Sequence, residues 1–258
     1  MTHGSLYSGI GGWLLAAQWA GIENIFTCEI DKFCNKVLDK HFPDTDRHHD
    51  IKETDFTSYA GRTDILSTSD PCQPFSFAGK RGGKADDRYL WPETIRVIRE
   101  VKPSYVVFEN VAGFISLGFE TVASDLEAEG YTVESFVIPA CGIGAWHRRD
   151  RLWIIAYSQG IEGRVIQGRR GEQKTEIRDK GIPSDVPDTE CKGLQGKPFG
   201  QMGRPIKFTE RNWWGSEPDV DRVVHGIPNR MDRLKSLGNS IVPQIAYIIF
   251  EAIKQNEQ

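Results

Sequence analysis

"SLYSGIGGWLLAAQWAGIENIFTCEI", Ser5 to Ile30, sets the reading of the whole chain. A short apolar start at Leu6-Tyr7 runs into Gly9-Ile10-Gly11-Gly12, a helical stretch covers Gly12–Ala20, and "IENIFTCEI" is β-rich. Glycines at the first junction let the backbone turn sharply, and the helix that follows offers free N–H groups at its start. Strand, glycine turn, helix and strand form the opening unit of an α/β sheet.

The alternation continues downstream. "TDILSTS", "SYVVFEN", "YTVESFVIPA" and "DRLWIIAYS" read as further strands, and Lys32–Phe42, Trp91–Val101 and Glu120–Gly130 as helices between them. In "WPETIRVIREV", Ile95, Ile98 and Val101 recur at three-residue spacing, and Pro92 suits a first helical turn. The expected fold class is α/β, a Rossmann-like, mostly parallel sheet with helices on both faces, over residues 1–158. After Ser158 the pattern stops, and residues 159–216, rich in Gly, Pro and charge, read as a small irregular module. Residues 217–258 read as a segment returning to the main domain. It ends in the helix "SIVPQIAYIIFEAIKQ", with Ser240 expected as cap, Pro243 in the first turn and Ile245, Ile248, Ile249 and Ala252 as its apolar face.

With 258 residues, 39% hydrophobic and 26% charged, the chain is long enough for one large core. No run of about 18 apolar residues appears and Met1-Thr2-His3-Gly4 is no signal peptide, so a cytoplasmic protein without a membrane segment is expected. Five cysteines without metal-ligand spacing fit a reducing compartment, and Cys28 and Cys34 read as core residues. The net charge of −4 gives no overall case for a polyanionic partner, although residues 158–216 carry 11 basic and 8 acidic side chains.

Four places carry chemistry. Glu29 follows Gly9 by 20 residues at the end of the second strand, where an α/β unit places an acid for ribose hydroxyls. Together they point to an adenosine-type ligand, and the glycine spacing departs from the dinucleotide pattern expected for NAD. Cys72 lies just past the strand in "TDILSTSDPCQPFSFAGKRGG", followed by Lys80, Arg81 and Lys84. A thiol near positive charge becomes a strong nucleophile. Glu109 ends an apolar strand, where partial burial would raise its pKa toward proton donation. In "HRRDR", Arg149 and Arg151 fall on one face of an entering strand, with Arg148 on the other, able to orient a carbonyl, carboxylate or phosphate. Trp213-Trp214 reads as core.

Taken in order, these motifs resemble those of the cytosine-C5 DNA methyltransferases. "LYSGIGG" resembles that family's cofactor loop, with Tyr7 where Phe is usual; "CEID" carries its ribose-binding acid as Glu29; "HDI" resembles its adenine contact through Asp50 and Ile51. "PCQPFS" resembles the nucleophile motif and "FENV" the acid motif. "HRRDR" is similar to Gln-x-Arg-x-Arg with His147 in place of Gln, and "GNSIVP" resembles the closing cofactor-pocket segment. The resemblance implies S-adenosylmethionine as cofactor, held by Tyr7, Gly9, Gly11, Glu29, Ile30, Asp50, Ile51, Pro71, Leu90, Asn239 and Ser240. It implies Cys72, Glu109, Arg149 and Arg151 as catalytic residues acting on a cytosine flipped out of double-stranded DNA. Gln73, Ser76, Lys80, Arg81 and Lys84 would contact that DNA, and residues 159–216 would recognise its sequence. A monomer, paired functionally but not physically with a cognate restriction endonuclease, is the expected setting. An RNA-methylating relative shares the cysteine and acid motifs, and a catalytically silent binder would keep the fold. The "PCQPFS" form leans toward DNA, and intact Cys72, Glu109 and Arg151 lean toward an enzyme.

Overall fold

A computed structural model of the chain describes residues 1–71, 90–145, 147–158 and 230–257. Among these residues seven strands form one sheet: β1 (Thr2–Leu6), β2 (Glu23–Cys28), β3 (Asp46–His48), β4 (Ile65–Thr68), β5 (Tyr105–Val111), β6 (Tyr131–Pro139) and β7 (Asp150–Ser158). Their order is β3-β2-β1-β4-β5-β7-β6. The first five run parallel, and β7 is antiparallel to both its neighbours. Among the described residues six α-helices accompany them: α1 (Gly12–Trp19), α2 (Lys32–His41), α3 (Trp91–Val101), α4 (Phe119–Ala128), α5 (Arg230–Asn239) and α6 (Pro243–Asn256).

Central strands in such a sheet are covered on both faces and read as continuous apolar runs. β4 is buried at every position, and β5 from Tyr105 to Asn110. Successive side chains alternate between two cores. On one face Leu66, Val106, Phe108 and Leu152 pack with Trp91 and Ile98 of α3 and Leu126 of α4. On the other, Ile65, Val107 and Trp153 pack with Trp13 and Ala17 of α1 and with Ile245, Ile249 and Phe250 of α6. The last helix therefore docks beside the first, far away in sequence. Cys28 and Cys34 are buried as expected of core thiols, and burial pushes their pKa values up to about 12 and about 11.

Three local readings are corrected. The cap of α6 is Val242, with no side-chain cap bond; Ser240 instead donates its Oγ to the Ile241 carbonyl and its N–H to Ser236, closing α5. Strand β7 begins at Asp150, so Arg149 stands before it, in the left-handed region at φ 37°, rather than on a strand face. The strand β3 and the helix α5 are additional elements that the sequence patterns did not mark.

Candidate active site

In an open α/β sheet the ligand crevice lies beyond the carboxyl ends of the strands, where strand order reverses. Here the order reverses between β1 and β4. A cleft of about 640 Å³ opens there, lined by residues at or just past the carboxyl ends of β1 to β5, by Arg149 and Arg151, and by the end of α5.

The first wall is the glycine turn. Gly9 has φ 54°, and a Cβ at that position would meet nothing within 4 Å, so its backbone is both turned and open to the cleft. Its N–H donates to Glu29 Oε2 at 2.7 Å, and the N–H of Asp31 donates to Oε1 at 2.7 Å. Each carboxylate oxygen still has acceptor capacity for a further donor. Burial raises the Glu29 pKa against these two bonds. Gly11 lies outside the cleft lining: it caps α1 at φ 91°, where a Cβ would come within 2.6 Å of Phe42. Ile30 is 69% exposed at the rim, Ile51 is buried, and Asp50 accepts the Lys52 N–H at 2.9 Å; all three line the cleft. Tyr7, at φ 50°, lines the cleft, and its hydroxyl reaches the Leu90 carbonyl at 3.3 Å.

The second wall comes from β4, β5 and β7. Strand alternation sends Glu109 and Asn110 to opposite faces. Glu109 is paired with Trp153 and Val111 with Arg151, which makes Glu109 and Arg151 diagonal neighbours on one face. Arg151 Nε lies 2.9 Å from Glu109 Oε1. Burial pushes the Glu109 pKa up; the positive charges of Arg151 and Arg149 and a hydrogen bond from Ser69 oppose this. Arg149 turns elsewhere: its Nη2 donates to the carbonyls of Gly238, at 2.9 Å, and Ser240, at 2.6 Å. Its Nε is buried with no hydrogen-bond partner among the described residues. Pro71, Leu90 and Asn239 line the cleft, whereas Ser240 does not. Cys72, Gln73, Ser76, Lys80, Arg81 and Lys84, and the stretch 159–216, lie outside the described residues.

Several polar groups in the lining went unassigned in the sequence, Asp70 and Lys235 among them. Asp70 is buried, with its pKa pushed up to about 6 by burial against hydrogen bonds from Thr68 and Thr94. A carboxylate between a buried strand and a proline was its only signal. Lys235, on α5, meets Asp31 at 3.0 Å across the mouth of the cleft, and no motif marked it.

A mostly parallel sheet with this cleft at its switch point defines an α/β protein of the open-sheet class, in which ligands bind at strand ends. The chain belongs to the C-5 cytosine-specific DNA methylase family, whose model matches residues 1–197. It is 32% identical to the type II methyltransferase M.Eco47II of Escherichia coli over 203 residues, covering 72% of this chain and 48% of that protein. It is 30% identical over 188 residues to M.HhaI of Haemophilus parahaemolyticus, covering 69% and 56%. The chain thus spans about half the length of these curated relatives. Among solved structures, the Dnmt2 methyltransferase of S. pombe shares the fold, with a TM-score of 0.52 and 24% identity over 61% of this chain and 51% of that one. No helix among the described residues is long and apolar enough to cross a membrane.

Proposed function

We propose that the chain transfers a methyl group from S-adenosylmethionine to C5 of cytosine in double-stranded DNA. The observation that carries this reading is the pairing of a buried Glu109 with Arg151 in the same cleft as Gly9 and Glu29. The cleft suits the cofactor on three counts. Its volume is in the range of small-molecule sites; Gly9 has open space where a side chain would stand; and Glu29 keeps free acceptor positions for ribose hydroxyls. Ile51 and Asp50 would take the adenine, and Pro71, Leu90 and Asn239 the remainder. When bound, the cofactor supplies an electrophilic methyl group on a sulfonium sulfur.

The chain's own residues prepare the other reactant. C5 of cytosine is a weak nucleophile, and addition of the Cys72 thiolate to C6 converts it into an enamine-like carbon. Negative charge then develops toward N3. A buried carboxyl with a raised pKa can donate a hydrogen bond or a proton at the N3/N4 edge, the role assigned to Glu109. Arg151 holds that carboxyl in place and faces the O2 side of the base. After methylation, loss of the C5 proton expels the cysteine. These atoms are hidden inside a duplex, so the base must be flipped out. Arg149 differs from the role the resemblance implies, since its guanidinium is engaged by the α5–α6 junction. We assign it to holding the C-terminal segment against the site. A monomeric protein acting in the cytoplasm, in functional partnership with a restriction endonuclease, fits this activity. Incubation of the purified chain with DNA and methyl-labelled S-adenosylmethionine, followed by nucleoside analysis, tests it: label in 5-methyldeoxycytidine is expected. Label absent from DNA but present in tRNA would favour the RNA-methylating alternative.

A further inference from the structure

Asp70 is 9% exposed and takes no part in the chemistry above, yet it lies two residues before Cys72. A buried carboxyl is expensive unless its oxygens find donors. Thr68 Oγ1 donates to Oδ1 at 2.6 Å, and Thr94 Oγ1, in the first turn of α3, donates to Oδ2 at 2.9 Å. The main-chain oxygen of Asp70 accepts from Asn110 Nδ2 of β5 at 3.3 Å. Thr94 Oγ1 in turn lies 3.2 Å from the Tyr7 hydroxyl at the cleft wall. An aspartate that only shaped a turn would bond its own following N–H groups. This one bonds hydroxyls on β4 and α3, so it ties the end of β4 to another element.

We propose that Asp70 is a positioning residue for Cys72: clamped by Thr68, Thr94 and Asn110, it fixes the direction in which the chain leaves β4 at Pro71. Through Asn110 the clamp also ties the end of β4, which leads on to Cys72 in sequence, to the strand that carries Glu109. The substitution of Tyr for the usual Phe at position 7 extends the clamp to the cofactor side of the cleft. This rests on Cys72 being the nucleophile.

The test uses DNA amplified with 5-fluorodeoxycytidine triphosphate in place of dCTP, which offers every sequence at once. With S-adenosylmethionine present, the S–C6 and C5–methyl bonds form, but fluorine cannot leave C5 as a cation, so the adduct survives denaturing electrophoresis. The wild-type chain should be trapped. Asp70→Ala and Thr94→Val should be trapped 10- to 100-fold more slowly, with S-adenosylmethionine affinity within about threefold of wild type. Asp70→Asn, which keeps the shape and one acceptor, should recover most of the rate. Trapping of Asp70→Ala and Thr94→Val at the wild-type rate overturns the positioning role. Loss of cofactor affinity in step with trapping reduces Asp70 to a general structural residue and overturns it equally. An untrapped wild-type chain overturns the covalent reading itself, and Asp70 with it.

Discussion

Glu109 and Arg151 meet at 2.9 Å across the β5–β7 pair, as diagonal neighbours in an antiparallel register. The register matters because the chain reverses direction between β6 and β7. An all-parallel arrangement would not set these two positions opposite one another at the same sheet edge. Glu109 is held where burial favours its protonated form while a guanidinium keeps it oriented.

Removing that carboxyl isolates its chemistry. Glu109→Gln keeps the shape and hydrogen-bonding capacity but cannot exchange a proton. Methyl transfer to DNA is expected to fall by about 10²- to 10⁴-fold, the usual weight of one acid–base group. Steady-state rates with labelled S-adenosylmethionine measure this, and a loss below threefold would remove Glu109 from the reaction.

Glu29→Ala leaves the N–H groups of Gly9 and Asp31 without their acceptor at the cleft wall. Affinity for S-adenosylmethionine, read by titration calorimetry, should fall by at least about tenfold, equivalent to about 1.4 kcal/mol. Unchanged affinity would mean that the cofactor does not use this wall.

Arg149→Lys preserves charge but loses the planar fork that reaches the Gly238 and Ser240 carbonyls together. We expect a loss of about 1–3 kcal/mol in urea denaturation and faster amide exchange in α5 and at the start of α6. If exchange there is unaltered, Arg149 does not hold the C-terminal segment and is free to act on substrate.

Two buried groups titrate with opposite sense. His3, bonded to Asn24 and Ser67, has its pKa lowered to about 4 by burial. The unfolded state binds its proton first as pH falls, so His3 makes stability decline from about pH 6.5 down to about 4. Asp70, raised to about 6, is protonated first in the folded state, so it makes stability decline as pH rises from about 4 to about 6. The two slopes offset one another, each being about 3 kcal/mol in extent. Denaturation of Asp70→Asn should therefore expose a stability that rises with pH across this window, relative to wild type. A profile parallel to wild type would show that Asp70 ionises in the folded state as it does in the unfolded chain.

Much of this arrangement was legible in the sequence, and the missing parts share a cause. Strands β2, β4 and β5 announced themselves as β-rich runs and β1 through the glycine turn that follows it, and the Gly9–Glu29 spacing marked the cleft. β3 escaped because "DRH" is three polar residues at the sheet edge, stabilised by pairing with β2 rather than by its own propensity. α5 escaped because Met231, Leu234 and Leu237 stay exposed, while only Ser236 of its described side chains is fully buried. The partners of Arg149 lie 89 and 91 residues away, so its hydrogen bonds cannot be read from local pattern. Asp70 was visible as a residue, but its role depends on Thr94 and Asn110, which only the packed sheet brings to it.

Bisulfite sequencing of DNA from cells expressing this chain, beside a Cys72→Ser control, tests the central claim most directly. Protected cytosines confined to one short sequence, and absent from the control, are the expected result. Protection that persists unchanged in Cys72→Ser would contradict the covalent route, and unprotected cytosines throughout would contradict DNA as the substrate.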